Sequence, residues 1–321
     1  MKTALIIAVI LLVVGGLFVG AGWVLLEQNP PTQNAVKDAN YPYGMDNLPA
    51  KIDITTLDSR VEILPSTGDE WRVECKDTEK LYHTVELVDG VLTIRQNGTA
   101  RKWYEYITLQ GVKPLSVTVY LPVGTYESLN VHSTSGSIKV REGFTFSNAS
   151  LQNTSGSITC SSHIAGALDV KNTSGSITVS GGVDGDLHVK NTSGSIDICG
   201  EVNGKLEVTN SSGSIKVKDA TPTSVTIKNT SGGIDLYDVV CQGAIKVENT
   251  SGSIEFERCD ALSFDLRTTS GGIRGSILSA KTFDCRSTSG GVRVPNDGNG
   301  GNFLARSASG GIKVEVVSPS K

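Results

Sequence analysis

Residues Asn153–Ile158 read Asn-Thr-Ser-Gly-Ser-Ile, and close variants of this phrase recur along the chain at a nearly fixed interval. The serines of its Ser-Gly pair are Ser135, Ser155, Ser174, Ser193, Ser212, Ser231, Ser251, Ser270, Ser289 and Ser309. Successive serines are 19 or 20 residues apart, a spacing typical of a solenoid of stacked repeats. We number each repeat from this serine as position 0, so that Asn153 is at position −2 and Ile158 at position +3.

Apolar residues alternate with polar ones on both sides of the Ser-Gly pair. Positions −6 and −4 are apolar in every repeat, and position +3 is Ile in every repeat except for Val292. Alternation with period 2 predicts two short strands per repeat, each with one apolar face. A single repeat cannot bury that face, but successive repeats stacked at ~4.8 Å form a continuous core. We therefore predict an all-β protein, a parallel β-solenoid (β-helix) of about ten regular coils of 19–20 residues.

The turn between the two strands has its own residue requirements. Position +1 is Gly in all repeats, which indicates a positive φ or a close backbone approach. Position −2 points inward by alternation, and in six repeats it is asparagine: Asn153, Asn172, Asn191, Asn210, Asn229 and Asn249. We expect these amides to stack and hydrogen-bond to one another as an asparagine ladder. Asn-Thr-Ser also matches the N-glycosylation motif, but an inward side chain is not accessible for glycosylation.

Composition excludes several classes of protein. The chain has 321 residues, 36 of them Gly, with 6% aromatic residues and a net charge of −4, which suits an all-β repeat domain and does not favour nucleic-acid binding. The six cysteines show no CxxC spacing and no partner histidine, so we predict no metal site and no cofactor. Cys160 and Cys285 fall at core positions. Cys241 and Cys259 lie in the return loops of adjacent coils, and the sequence leaves a disulfide between them open.

The N-terminus has the features of a membrane anchor. Residues 3–26 contain no charge and would span ~36 Å as a helix, enough to cross a bilayer. Lys2 precedes this stretch and Glu27 follows it, which favours a cytoplasmic N-terminus and an extracytoplasmic C-terminal domain. We predict a single-pass anchor over residues 1–27. The alternative is a signal peptide cleaved after Val19-Gly20-Ala21.

The remaining chain divides into three parts. Residues 28–49 contain four prolines and are predicted to be a juxtamembrane linker. Residues 50–128 alternate without a strict period and are predicted to be irregular N-terminal coils that cap the solenoid, and residues 129–317 are the regular repeats. The aromatic cluster Lys102–Tyr106 is either a loop packed over the cap or a platform for a sugar or peptide. The Gly- and Asn-rich loop Asn296–Asn302 does not have the spacing of a calcium site.

Several segments carry a family resemblance: the strand pair Ile52–Ile63, the segment Val85–Ile94, Val119–Pro122, and Leu129–Ile138 with the Ser-Gly-[Ser/Gly]-Ile copies after it. Over about residues 50–317 the chain resembles the bacterial DUF4097 family of β-strand-repeat proteins, often named "putative adhesins". The resemblance implies a β-repeat fold and tethering at the cell envelope. It carries no set of catalytic residues.

A basic stripe is the candidate binding surface. It consists of outward cations at position −3: Lys171, Lys190, Lys228, Arg267, Arg286 and Arg306. Like charges ~4.8 Å apart repel, so an anionic polymer such as a wall teichoic acid or an acidic glycan would relieve the repulsion. Alternatively, acidic residues at position −5 pair with the stripe, which is then a solvated face. These are Asp169, Glu207, Asp265 and Asp284.

Catalysis is not expected, because the return segments are too short to build a cleft and no nucleophile–base pair is evident from residue spacing. We predict a membrane-anchored, extracytoplasmic, non-catalytic surface module of the bacterial envelope, either adhesin-like or structural. Its expected partners are the membrane, through the N-terminal helix, and an envelope glycopolymer or a membrane protein. The alternative function is an envelope-stress sensor or regulatory scaffold that contacts a membrane protein.

Overall fold

The computed structural model describes residues 37–43, 47–98, 115–296 and 298–317. Within these ranges the chain forms 28 strands and no α-helix, and the strands make two 14-stranded sheets, A and B. The predicted all-β parallel solenoid is confirmed, although it has about nine turns where about ten coils were predicted. The predicted anchor at residues 1–27 lies outside the described residues. Within the described part of the chain, no helix is long and apolar enough to span a membrane.

The strands are numbered β1 to β28 in chain order. Sheet A contains β1 (Lys37–Tyr43), β3 (Ser59–Pro65), β4 (Trp71–Asp77), β7 (Leu115–Leu121), β9 (Ile138–Val140), β11 (Ile158–Cys160), β14 (Ile177–Val179), β16 (Ile196–Ile198), β18 (Ile215–Ala220), β20 (Ile234–Val239), β22 (Ile254–Cys259), β24 (Ile273–Ile277), β26 (Val292–Arg293) and β28 (Ile312–Val316). Sheet B contains β2 (Lys51–Thr56), β5 (Leu81–Val88), β6 (Val91–Gly98), β8 (Gly124–Ser135), β10 (Phe144–Ser155), β12 (His163–Ile164), β13 (Leu168–Ser174), β15 (Leu187–Ser193), β17 (Lys205–Ser212), β19 (Ser224–Ser231), β21 (Ala244–Ser251), β23 (Ser263–Ser270), β25 (Thr282–Ser289) and β27 (Asn302–Ser309).

Each regular repeat contributes one strand to each sheet. The sheet B strand ends at position 0, the chain turns at positions +1 and +2, and the sheet A strand begins at position +3. Neighbouring repeats pair in parallel and in register, so Asn191 is aligned with Asn172 on one side and with Asn210 on the other. The apolar positions lie between the sheets, where Leu187 and Val189 are fully buried. The alternation in the sequence therefore predicted both strands of the repeat and their inner faces.

The return segments also contribute to the core. Ile164, Val183 and Val202 are fully buried and form parallel bridges with one another in successive coils. This column closes a third side of the solenoid over several coils. The sequence interpretation treated these segments as loops and missed the column, because one apolar residue in a short polar segment has no periodicity of its own.

The last two repeats stack in reverse order. Strand β27 lies between β23 and β25, and β28 lies between β24 and β26. The tenth repeat is thus inserted between the eighth and the ninth, and the expectation that repeats stack in chain order is wrong at this end. The Gly-rich loop before β27 makes the insertion sterically feasible. A side chain at Gly301 would collide with the carbonyl of Leu262, and one at Gly300 with that of Ala280.

The opposite end is closed by antiparallel strands. Strands β2 and β3 stack on β8 and β9, and β6 and β7 stack on β2 and β3. Strand β5 then pairs antiparallel with β6, β4 pairs antiparallel with β7, and β1 pairs antiparallel with β4. The predicted cap over residues 50–128 is therefore made partly of antiparallel strands. Residues 37–43, which were assigned to the linker, are a strand of sheet A. The aromatic cluster Lys102–Tyr106 lies outside the described residues.

The cysteines are free thiols. Cys241 and Cys259 are both buried, and each thiol donates to a backbone carbonyl, Cys241 to Thr223 and Cys259 to Leu236. The disulfide that the sequence left open is not formed in the structure. Cys160 is fully buried in the core, as its position predicted.

Candidate functional site

The turn glycines have the conformation that the repeat predicts. Gly194 has a φ of 122°, and a side chain there would collide with the carbonyl oxygen of Gly175 in the preceding coil. Both a positive φ and a close backbone approach therefore require glycine at position +1. The turn carbonyls face inward as a result, toward the side chains at position −2.

The six asparagines occupy the predicted inward positions but make different hydrogen bonds. The Nδ2 of Asn191 donates to the carbonyl of Gly175 (3.0 Å) in the preceding coil and to that of Gly194 (3.2 Å) in its own. The amide-to-amide bonds expected of an asparagine ladder are not confirmed. The asparagines instead link the turn glycines of adjacent coils, and each Oδ1 is buried without a hydrogen-bond partner among the described residues.

The polar inner corner continues beyond the asparagines toward the C-terminal end. Thr268 and Ser307 occupy position −2 in later coils, and their hydroxyls donate to the carbonyls of Gly252 (3.1 Å) and Gly271 (2.9 Å). Small hydroxyl residues thus make the same kind of contact as the amides do. The corner is a structural column, and a groove lies over its backbone on the outer face of sheet B.

The groove follows the outer corner of sheet B and has a volume of about 760 Å³. Position −3 supplies mostly charged residues on one side and position −1 mostly hydroxyl residues on the other, and the groove runs over the backbone of position −2, whose side chains point inward. The lining residues are Thr209, Asn210, Ser211, Lys228, Asn229, Thr230, Glu248, Asn249, Thr250, Arg267, Thr268, Thr269, Arg286, Thr288, Arg306, Ser307 and Ala308. It crosses six neighbouring strands, which corresponds to ~24 Å along the solenoid axis.

The structure divides the predicted basic stripe into two parts. Lys228, Arg267, Arg306 and Arg286 line the groove, whereas Lys171 and Lys190 lie on the same face before it. The insertion of the tenth repeat places Arg306 between Arg267 and Arg286. Three arginines therefore follow one another on adjacent strands, an order that the sequence alone does not show.

Acidic neighbours pair with much of the stripe, but the alternative interpretation of the sequence holds only in part, because Glu207 contacts His188 (3.3 Å) and Lys228 contacts Glu248 at position −3. Lys171 contacts Asp169 (2.5 Å), Arg267 contacts Asp265 (2.8 Å) and Lys228 contacts Glu248 (3.4 Å). These charges are therefore locally compensated.

The end of the groove differs from the rest of the stripe. Arg306 (2.5 Å) and Arg286 (3.3 Å) both contact Asp284. The hydrogen bond from Arg306, together with the charges of both arginines, lowers the pKa of the Asp284 carboxyl. Two guanidinium groups share one carboxylate here, so the end of the groove carries an excess positive charge.

A buried polar cluster in the cap was missed by the sequence interpretation. The Nδ1 of His83 lies 2.5 Å from Oδ1 of Asp77, and its Nε2 lies 3.0 Å from Oγ of Ser59. The thiol sulfur of Cys75 lies within 4.8 Å of the potential ligand atoms of Asp77 and His83. The sequence pattern indicates no histidine partner for any cysteine, and this is wrong for Cys75. Alternation could have revealed the cluster, because Asp77 follows Cys75 by two residues and shares its inward face.

The cluster has the connectivity of a nucleophile, a base and an acid, but its surroundings are those of a core. Ser59 is fully buried, and His83 and Asp77 are buried as well. The backbone N–H of His83 also donates to Asp77 (3.1 Å). These bonds satisfy polar groups between three strands of the cap, and the serine hydroxyl is not open to a substrate in this structure.

A second buried ion pair lies in the return loops near the C-terminal end of the solenoid. Lys281 Nζ contacts Asp260 Oδ1 at 2.8 Å, and the lysine side chain is only 6% exposed. Burial alone would raise the pKa of Asp260, but hydrogen bonds from Lys281, Ser279 and the Ala261 N–H outweigh it and lower that pKa.

Several solved structures are distantly similar to this chain. Crystal structures of proteins named "putative adhesin" from Bacteroides fragilis and from Parabacteroides merdae are 14% and 13% identical to it. They cover 89% and 88% of the chain, over 99% and 96% of their own length, with TM-scores of 0.35 and 0.39. A "putative lipid binding protein" from Parabacteroides distasonis is 14% identical, with a TM-score of 0.38, over 88% of this chain and 98% of its own. These likenesses are too distant to support an argument.

No curated protein matches the chain. The sequence profile of the DUF4097 family, described as Toastrack DUF4097, matches residues 50–240 and 203–320. Together these segments include nearly all of the solenoid and its cap, and the protein therefore belongs to the DUF4097 (Toastrack) family.

Proposed function

We propose that this protein is a membrane-anchored, extracytoplasmic binding module of the bacterial envelope that holds a linear anionic glycopolymer in the groove of sheet B. The observation that carries the proposal is the run of Arg267, Arg306 and Arg286 on three adjacent strands, opposite a wall of mostly hydroxyl side chains. Most of the side chains that line the groove are cationic or hydrogen-bonding, which suits a non-catalytic binding role.

The groove has the chemistry that an extended polyanion requires. Guanidinium groups bind phosphate or carboxylate through paired N–H donors, and threonine and serine hydroxyls bind the hydroxyls of a glycan. Because Arg306 and Arg286 share Asp284, a ligand anion near them supplies the second negative charge without displacing the first. A polymer extended along the groove would meet a guanidinium group every ~4.8 Å over Arg267, Arg306 and Arg286.

Membrane attachment rests on the uncharged N-terminal stretch between Lys2 and Glu27. Strand β1, which follows the predicted anchor in the chain, lies at the capped end of the solenoid, away from the groove. Protease added to intact cells should remove the solenoid while leaving the N-terminal segment in the membrane. A fully protected solenoid would contradict the orientation.

The binding experiment uses the full-length protein in detergent and purified glycerol-phosphate teichoic acid, with neutral dextran as a control ligand. Substitution of both Arg267 and Arg306 by Gln should weaken teichoic acid binding by at least ~10-fold, because two charge-assisted contacts are lost. The matched control is Arg274→Gln with Lys313→Gln, which removes two cations from the same layers on sheet A. Binding should weaken with added salt.

Two results would contradict the proposal. One is equal binding by both double variants, and the other is equal affinity of the wild type for dextran and teichoic acid. Capture of a membrane protein by the solenoid, without polymer binding, would favour the sensor or scaffold alternative instead.

A further inference from the structure

The two ends of the solenoid differ in how their last strands are covered. At the N-terminal end the antiparallel strands bury Trp71 and Leu81 almost completely. At the C-terminal end the last strands are β25 and β26, and no other described strand pairs with their outer edges. Phe283 and Cys285 are only half-buried there, although the equivalent residues of the inserted repeat, Phe303 and Ala305, are fully buried. Among the described residues, nothing covers this part of the core at the C-terminal end.

The outer edge of β25 presents backbone groups that no described strand pairs with. The N–H of Thr282 donates to the carbonyl of Gly301 (2.9 Å), on the side of β27. Because the backbone groups of successive residues point to opposite sides of a strand, those of Phe283, Cys285 and Ser287 point away from β27. An open edge with apolar side chains beside it is a template for another strand.

The charges on β25 favour pairing with a second copy of β25 in one register. In a two-fold antiparallel pairing centred on Cys285, residue 284 of one copy lies opposite residue 286 of the other. Asp284 then faces Arg286 of the second copy on both sides of the axis, at non-hydrogen-bonded positions where side chains approach most closely. A pairing centred on Phe283 or on Ser287 brings no opposite charges together.

We propose that β25 pairs with β25 of a second copy of this chain, and that the protein forms an end-to-end dimer about a two-fold axis at Cys285. The outward N–H and C=O groups of Phe283, Cys285 and Ser287 are satisfied in this dimer, and the half-buried Phe283 and Cys285 are covered. The dimer extends sheet B continuously from one copy to the other.

The position of strand β1 has a consequence for the dimer if the proposed anchors are present. Strand β1 lies at the opposite end of each solenoid from β25, so the two β1 strands are at the far ends of the dimer. If each N-terminus is anchored as proposed above, the dimer joins two facing membranes. This consequence rests on the proposed membrane attachment, whereas the dimer itself does not.

Charge reversal tests the register. The full-length protein in detergent should sediment as a dimer, and Arg286→Glu should lower the dimer affinity by at least ~10-fold, because two acidic side chains then face each other across the axis. Adding Asp284→Arg to Arg286→Glu should restore much of the affinity, since the opposite charges are exchanged across the axis. The matched control is Arg267→Glu, at the same position of an interior repeat, which should sediment as the wild type does. A monomeric wild type, or equal effects of Arg286→Glu and Arg267→Glu, would overturn the proposal.

Cross-linking provides an independent readout. Oxidation by copper phenanthroline in air should link two copies through Cys285, and Cys285→Ser should abolish the covalent dimer while Cys199→Ser should retain it. A covalent dimer that persists in Cys285→Ser would contradict the register.

Vesicle adhesion tests whether the dimer joins two membranes, separately from whether the dimer forms. Two populations of vesicles with the full-length protein should adhere to each other, and Arg286→Glu vesicles should not. Dimers in detergent without vesicle adhesion would refute the anchor geometry alone. Monomers that still bind teichoic acid would refute the dimer but not the binding function.

Discussion

Replacement of Asn191 tests how the inner corner stabilises the solenoid. The side chain is 1% exposed, and its Nδ2 donates to the carbonyls of Gly175 and Gly194. Asn191→Ala removes both bonds, each with a net contribution of ~1 kcal/mol. Each carbonyl keeps a second donor, Asn172 for Gly175 and Asn210 for Gly194, which limits the loss. We expect the free energy of unfolding to fall by ~1–3 kcal/mol.

An isosteric substitution sharpens this prediction. Asn191→Asp keeps the volume but removes the donor, so a carboxylate would face two carbonyl oxygens inside the protein. It should therefore destabilise more than Asn191→Ala at neutral pH, and part of the difference should disappear in acid as the carboxyl becomes protonated.

Urea unfolding followed by circular dichroism measures these effects. Lys190→Ala, one residue earlier and outward, is the matched control and should change the free energy of unfolding by less than ~0.5 kcal/mol. Equal, small losses for Asn191→Ala and Lys190→Ala would refute the structural role of the asparagines.

Three further predictions concern the turn, the ion pair and the thiols. Gly194→Val should destabilise by more than ~1 kcal/mol, because of its φ and the nearby Gly175 carbonyl, whereas Gly233→Ala, with open space around it, should be mild in the same thermal unfolding assay. Because the folded-state pKa of Asp260 is lowered, its contribution to stability is present above the usual value of 3.8 and is lost as the pH falls through the folded value. The difference in unfolding free energy between wild type and Lys281→Met should thus shrink as the pH is lowered from neutral through the usual range of a carboxyl group, and a constant difference would contradict the pairing. With iodoacetamide in mildly alkaline buffer, mass spectrometry should find Cys199 modified first, since burial raises the pKa of Cys160 and Cys259 to about 12; early modification of Cys160 would contradict its place in the core.

Much of the regular solenoid could be predicted because its determinants are local and repeated. Alternation around each Ser-Gly pair specifies which side chains face inward, and the constant period specifies which residues align in neighbouring coils. The hydrogen-bond acceptors of the asparagines could not be predicted in this way. Alternation places Asn191 inside, but only the positive φ of Gly194 shows that a glycine carbonyl, and not another amide, lies within reach.

The order of the last repeats could not be read from their apolar pattern. Phe283 with Cys285 and Phe303 with Ala305 are nearly equivalent pairs, and either could pack on Phe264 and Leu266 of the eighth repeat. In the structure the ring of Phe303 lies between Phe264 and Phe283, with centroid distances of 5.0 and 5.3 Å. Tertiary packing and the glycine loop before β27 decide the order. The sequence pattern therefore could not predict that Arg267, Arg306 and Arg286 lie on adjacent strands.

The stacking order of the last repeats is the central claim, because both the arginine groove and the open edge of β25 depend on it. It can be measured by electron–electron double resonance, which gives the distance between two nitroxide labels. One protein carries labels at Lys171→Cys and Arg306→Cys, and the other carries labels at Lys171→Cys and Arg286→Cys. Both proteins would carry Cys199→Ser and Cys285→Ser to remove the more accessible thiols. Position 306 is six strand spacings from position 171 and position 286 is seven, so we predict distances of ~29 Å and ~34 Å. The reverse order, with position 306 farther from position 171 than position 286, would contradict the account.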